Sequence, residues 1–230
     1  MTRVVVKEGP SAADEARGLR LLAAVPGGPA VPRVVSAGER RLEIEWVDHV
    51  ERTPAHEEEL GRRLASLHAA PWPEWGGGSS WIGDCPVDPS PATGAAGFYG
   101  RRLADLARRS RLEGAVEPVV ERLDRLVPPG PPSLLHGDLW WGNVVWGAGG
   151  RPWVIDPSVH GGHAEEDLAM LALFGDIPPR LLGAYLEVHP LGDGWRERVG
   201  LWQLYPLLVH SVLFGGSYRQ RAAAVAARFS

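Results

Sequence analysis

Apolar and polar positions alternate on two different periods along this chain, and the change of period divides it. The run Arg3-Val4-Val5-Val6-Lys7 is β-branched, too short for a helix and closed by the turn-forming Gly9-Pro10, so it predicts a strand. Ser11 is placed to cap a helix over 12–24. Asp14 and Glu15 stand in its first turn, where the helix dipole favours negative charge, and Leu19, Leu22 and Ala23 form its apolar face. After Pro26-Gly27-Gly28-Pro29, strand-like runs at 33–37 and 41–46 flank Gly38-Glu39-Arg40 and predict a hairpin. From Pro54 onward the period lengthens: Leu60, Leu64 and Leu67, at i, i+4 and i+7, mark one buried stripe of a helix over 56–69. Residues 71–97 are rich in Pro, Gly and Trp, show no period, and predict a long loop pinned by Trp72, Trp75 and Trp81 or serving a site. Helices are expected over 98–110, 115–126, 165–174, 179–188, 195–214 and 218–229, with two short strands, 143–146 and 152–155, around Gly147-Ala148-Gly149-Gly150. The pattern therefore predicts an α+β chain, with a small β-rich lobe over 1–48, a larger helical lobe over 49–230, and a ligand cleft between them.

Composition narrows the class without naming it. The 230 residues are 44% apolar and 23% charged, an ordinary globular mixture, and the formal net charge of −4 gives no basic field for a nucleic-acid backbone or an anionic membrane. Neither is expected as a partner. One cysteine, Cys85, cannot form an internal disulfide, and the N-terminus meets charge too early for a signal peptide's apolar core. The apolar stretch 204–209, interrupted by Pro206, falls far short of the ~20 residues a membrane span needs. A cytoplasmic protein is expected; composition leaves the oligomeric state open.

Candidate chemistry concentrates in Leu134-Leu135-His136-Gly137-Asp138-Leu139-Trp140-Trp141-Gly142-Asn143, followed by Val154-Ile155-Asp156-Pro157. A hairpin closing at 147–150 brings Asn143 and Asp156 out at one edge. One carboxylate and one amide oxygen, completed by water and phosphate oxygens, suit Mg²⁺. Asp138 then stands beside that metal, free to accept a hydroxyl proton. His-x-Asp-(x)4-Asn followed by Asp is the order of a kinase catalytic loop and metal aspartate, with Gly137 in place of arginine and Asp156-Pro157 in place of Asp-Phe-Gly. The matching upstream parts are a strand lysine and a helix glutamate. Lys7, the only lysine in the chain, and Glu15 fit those roles.

On these residues the sequence closely resembles the fructosamine kinase (ketosamine kinase) family, within the aminoglycoside-phosphotransferase-like, protein-kinase-like proteins. The segments 133–140 and 154–157 carry the resemblance, joined by Gly162-His163, Glu165, 167–171, Trp202-Gln203-Leu204-Tyr205 and Phe214-Gly215-Gly216. It implies a bilobal protein-kinase-like fold that uses ATP and Mg²⁺ to phosphorylate a hydroxyl, expected to be the 3-hydroxyl, of a fructosamine- or ribulosamine-type adduct on a small molecule or a protein. That is a deglycation repair reaction. By the same resemblance Asp138 is the base, Asn143 and Asp156 the Mg²⁺ ligands, and Lys7 and Glu15 the phosphate-binding pair. Residues 45–48 are the hinge, where Glu45 and Val47 offer backbone groups to adenine. His136 and His163 stand at matching supporting or substrate positions, Asp167 braces the catalytic loop, and Trp140 stacks on the sugar. Three departures are visible. Trp141 replaces a small residue, and His160-Gly161 replace aromatic residues, which predicts a reshaped acceptor pocket. Only six residues precede Lys7, where family members have two strands and a glycine-containing loop, so a truncated small lobe with an open sheet edge is expected. Two other readings keep the fold: phosphorylation of another acceptor such as an aminoglycoside, and a truncated pseudokinase that binds nucleotide weakly without turnover.

Overall fold

The computed structural model describes residues 3–230. Strands β1 (Val4–Glu8), β2 (Val34–Ala37) and β3 (Arg41–Glu45) form an antiparallel sheet in the order β1-β3-β2. Leu42 and Ile44 of β3 point to one face and are buried, as period-two alternation requires. Lys7 pairs opposite Leu42, and β1 lies at the sheet edge with Val4 and Val6 exposed. Helix α1 (Ala12–Ala23) covers the buried face through Ala12, Ala16 and Leu19. Its start differs from expectation. Ser11 adopts helical angles (φ −81°, ψ −8°) and its hydroxyl makes no capping bond, because capping needs an extended backbone at that position.

Helix α2 (Pro54–His68) opens with proline at its first turn and a reciprocal cap, Thr53 accepting from the His56 amide while His56 Nδ1 accepts from the Thr53 amide. Leu60, Leu64 and Leu67 are fully buried, as the stripe requires. Gly61, on the same helix, lies against α7 (Pro179–Val188), and a Cβ there would stand 2.2 Å from the Leu181 carbonyl oxygen. Gly61→Ala is therefore expected to lower the unfolding midpoint, because overpacking costs about 1–3 kcal/mol while alanine's helix propensity returns at most ~1 kcal/mol. Thermal denaturation checks this, and an unchanged or higher midpoint would contradict so tight an approach.

The 71–97 segment is pinned rather than free. It contains a small hairpin, β4 (Trp81–Ile82) and β5 (Cys85–Pro86), and isolated bridges tie Trp75 to Ala92 and Gly76 to Gly161. Trp75 is buried, and the Ser80 amide donates to Asp14 on α1 (2.7 Å). Beyond it lies α3 (Ala95–Ser110). The expected single helix over 115–126 is broken into α4 (Glu113–Val120) and α5 (Leu123–Leu126), because the Arg122 amide bonds back only three residues, to Val119, tightening the turn and swinging Leu123 into the core. Two short paired strands, β6 (Ser133–Leu135) and β9 (His160–Gly162), were not expected from the pattern, and they bracket the hairpin of β7 (Val144–Gly147) and β8 (Arg151–Val154).

Helices α6 (Glu165–Leu171), α8 (Trp195–Phe214) and α9 (Gly216–Ala226) complete the larger core. Pro206 interrupts the α8 ladder by lacking an N–H, and the Tyr99 hydroxyl reaches the freed Trp202 carbonyl at 3.1 Å. Leu22 of α1 packs with the α2 leucines, and the Val154 amide donates to Ala30 (2.8 Å), so the small sheet unit is joined to the rest through a shared core. Among the described residues no helix is long and apolar enough to cross a membrane.

Candidate active site

The site begins with the position of α1. Gly18 sits one turn after Glu15 on its buried face, and a Cβ there would lie 3.1 Å from Pro157 and 3.3 Å from Val159. The missing side chain lets α1 lie directly on the segment after β8, which brings Glu15 to Lys7 and Asp156. Lys7 Nζ donates to Glu15 Oε1 at 2.7 Å and also to Asp156 Oδ1. Burial alone would lower the Lys7 pKa, but the carboxylates of Asp156 and Glu15 outweigh it and raise it. Burial raises Glu15, with Lys7 opposing. Lys7, Glu15, Asp138 and Asp156 line one cleft of 370 Å³, together with Glu8, Asp14, Trp81 and Asp84.

His136 holds Asp156 in place. The aspartate has φ 56°, in the left-handed region that costs a non-glycine residue about 1–3 kcal/mol. Nε2 of His136 lies 2.9 Å from the Ile155 carbonyl, and the His136 carbonyl accepts from the Ser158 amide at 2.8 Å, so bonds on both sides clamp the strained residue. Nδ1 accepts from the Asp138 amide (3.3 Å), which makes Nε2 the protonated nitrogen of a neutral ring. Burial, which lowers the His136 pKa, favours that neutral form.

Asp167 braces the same loop from behind. Its carboxylate accepts from the His136 amide (2.8 Å) and the Gly137 amide (2.9 Å), and His68 Nε2 lies 3.1 Å away. His68 Nδ1 in turn meets the Tyr185 hydroxyl at 2.8 Å. Burial opposes ionisation of Asp167, yet the hydrogen bond and charge of His68 and the loop amides bring its pKa below the ordinary aspartate value. Gly137 has φ 79°, and a Cβ there would fall 2.0 Å from the Ser158 carbonyl, so the loop requires glycine at this position.

Asp138 is half-buried at the cleft wall. Burial first, then the neighbouring charges of Asp156 and Asp167, push its pKa up to about 7, against the lowering effect of Asn143. Asn143 Nδ2 donates to the Asp138 carbonyl (2.8 Å) and lies 3.2 Å from its Oδ2, which leaves the amide oxygen free for a cation. Asn143 ends a short 3₁₀ turn, and its carbonyl accepts from the Ile155 amide (3.0 Å), so Asn143 and Asp156 emerge at the same end of the β7–β8 hairpin. An amide oxygen and a carboxylate at one hairpin end fit Mg²⁺, which takes few protein ligands beside phosphate and water.

Other expected positions do not line that cleft. His163 stacks on Trp202 (5.2 Å, 11°) and lines a separate 310 Å³ pocket with His68 and His189, outside the Asp138 cleft. Trp140 is exposed and meets Phe174 edge-on. The Glu45 amide bonds Arg33 (3.0 Å), while among the described residues the Val47 amide has no backbone partner. The reshaped pocket expected from His160-Gly161 is not what the structure shows. His160 is buried against Arg102 (3.0 Å) and the Ser158 carbonyl (2.9 Å), Gly161 gives way to the Trp72 ring, and neither lines the cleft. Trp141 packs beside Trp146 at 6.3 Å.

Gly18, His68 and Tyr185 lie outside the positions expected from the sequence. His68 had a visible signal, a polar residue on the stripe of Leu60, Leu64 and Leu67; the other two had none.

A small sheet and helix over a helical lobe, with Asp138, Asn143 and Asp156 near the seam, match the protein-kinase-like small-molecule phosphotransferase fold. Choline kinase LicA from Streptococcus pneumoniae shares it, with a TM-score of 0.68 over 99% of this chain and 87% of that one at 16% identity. The fructosamine kinase family model matches residues 10–229, and the chain belongs to that family. A fructosamine-3-kinase candidate from Thermobifida fusca YX-ER1 superposes with a TM-score of 0.90 at 42% identity, over 98% of this chain and 85% of that one. A Synechocystis relative named as a probable ketoamine kinase is 36% identical over 90% of this chain and 75% of its own length. An Enterococcus faecium relative of the same name is 49% identical over 87 residues, 38% of this chain and 31% of that protein.

Proposed function

We propose that this protein transfers the γ-phosphoryl group of ATP to a sugar hydroxyl of a ketoamine, a fructosamine- or ribulosamine-type adduct, and so takes part in deglycation. The observation that carries the reading is the convergence of Asp138, Lys7, Glu15 and Asp156 on one cleft in a chain of the fructosamine kinase family.

In this reading the acceptor's hydroxyl stands beside Asp138. Its oxygen forms the new bond to the γ-phosphorus, the bond to the ADP oxygen breaks, and the proton passes to Asp138. Burial raises the pKa of Asp138, which makes it a stronger acceptor for that proton. Lys7 binds the nucleotide's phosphates while Glu15 keeps its ammonium aimed, because a single flexible lysine positions poorly without a partner. Mg²⁺, held by the Asn143 amide oxygen and Asp156, would neutralise charge on the phosphates. Asp167 and His136 keep the loop fixed, so that little reorganisation remains for the reacting state. The Glu45–Val47 backbone meets adenine at a hinge between lobes divided near residue 48, and Trp140 lies against the sugar.

ADP release across a panel of acceptors checks the assignment. Deoxyfructosyl and ribulosyl amines are expected to stimulate release with Mg·ATP, whereas an aminoglycoside and choline leave it at the background rate. Preference for either of the latter would reassign the acceptor.

A further inference from the structure

Five aromatic rings run in contact from the catalytic loop across the surface of the helical lobe. The first is Trp140, two residues after Asp138 and therefore within about 7 Å of it along the chain. Its ring lies over Gly142, where a Cβ would come within 2.2 Å of the indole, so the chain gives up a side chain to seat it. Its edge meets Phe174 (5.8 Å, 65°), and Phe174 meets His210 of α8 (5.5 Å, 66°). His210 stacks on Tyr218 of α9 (4.8 Å, 27°), and Phe214 lies 5.7 Å from His210 and 6.1 Å from Tyr218. Trp140, Phe174 and Phe214 are 40%, 39% and 67% exposed.

These rings come from the catalytic loop, the connection between α6 and α7, and both sides of the Gly215-Gly216 turn. Packing within one helix does not produce such a line. A line of touching aromatic rings, three of them exposed and two half-buried, that begins two residues from Asp138 has the character of a ligand surface. His210 adds no charge to it. Nδ1 donates to the Pro206 carbonyl (2.7 Å), and burial favours the neutral ring.

We propose that this strip receives the amine-bearing part of the acceptor, so that the protein selects ketoamines whose nitrogen carries an apolar or aromatic substituent over compact ones. The inference rests on the ketoamine reading above. In such an adduct the 3-hydroxyl and the nitrogen are joined through C3, C2 and C1, so a hydroxyl held at Asp138 fixes where the nitrogen's substituent leaves the site. The side toward Lys7 and Glu15 is taken by the nucleotide. Trp140, exposed and two residues along the chain from Asp138, is offered to the substituent on the other side, and its ring faces also attract the ammonium that the adduct carries.

The test compares two adducts of the same sugar, one on methylamine and one on benzylamine. The wild-type kcat/KM is expected to favour the benzyl adduct by about tenfold, mostly through KM, as roughly two aromatic contacts of ordinary strength would give. Phe174→Ala and Phe214→Ala should each reduce that ratio to about threefold or less. Val188→Ala, an equally exposed apolar residue at the end of α7, should keep it. Phe214 is exposed enough that its truncation leaves the core intact, which matching circular dichroism and melting curves verify.

A wild-type ratio near one, or a ratio unchanged in both phenylalanine variants, overturns the strip while the ketoamine reading stands. Failure of the wild type to phosphorylate either adduct overturns the ketoamine reading, and the strip with it. Sedimentation at the assay concentration is the last arm. A dimer that Phe214→Ala dissolves would assign the strip to a second copy of this chain and contradict the proposal.

Discussion

Asp138→Asn should lower kcat by about 10²–10⁴-fold, the usual contribution of a positioned general base, and at the same time raise the unfolding midpoint in metal-free buffer. The two effects share one cause. Burial and the charges of Asp156 and Asp167 push the Asp138 pKa to about 7, well above its value in an unfolded chain. A carboxyl group whose folded pKa is raised binds a proton more tightly when folded. It destabilises the fold once that proton is lost, so the penalty begins as pH rises past the ordinary aspartate range and is complete above about 7. Asparagine carries no charge to bury and still offers an oxygen to Asn143 Nδ2. The gain in midpoint is therefore expected to be largest above pH 7 and to vanish in acid. Turnover near the wild-type rate would remove Asp138 from the chemistry, and a lower midpoint at pH 8 would contradict the electrostatic account.

Asp167→Ala should act in the opposite direction on stability. The carboxylate is fully buried and satisfies the His136 and Gly137 amides and His68 Nε2. Removing it leaves those donors unpaired in the interior, a loss of roughly 3–5 kcal/mol by analogy with broken buried ion pairs. That is a large share of the ~5–15 kcal/mol that holds a domain together. Urea denaturation should show a fall in midpoint with the slope retained. Because the Asp167 pKa lies below its ordinary value, its stabilisation is fully present above the ordinary aspartate range and is lost as pH falls through the folded value. The gap between wild type and variant should thus narrow in acid. A gap independent of pH would mean that the cavity, not the charge, sets the loss.

Much of this was legible in the sequence because local rules and chemistry coincided. The Val4–Lys7 run, the Leu60-Leu64-Leu67 stripe and helices α7 and α8 follow from periodicity alone. Asn143 and Asp156 could be placed at one hairpin end because strand pairing depends on where a turn closes, and the glycines of 147–150 mark it. What stayed hidden depends on contacts between distant segments. Gly18 reads as a weak spot in a helix until Pro157 is seen against it. Strands β6 and β9 are three residues each and pair across 25 residues, too short for a period to declare itself. His160 and Gly161 looked like pocket residues because they stand where the family carries aromatic residues, but the chain turns inward there, toward Arg102 and Trp72.

Phosphoryl transfer from one cleft to a ketoamine hydroxyl is read directly by ³¹P NMR of the purified protein with Mg·ATP and a deoxyfructosyl amine. The expected result is a growing phosphomonoester resonance, coupled to a sugar proton and matched by ADP, that is absent with Asp138→Asn. ATP left intact, or converted only to ADP and inorganic phosphate with no sugar phosphomonoester, would contradict it.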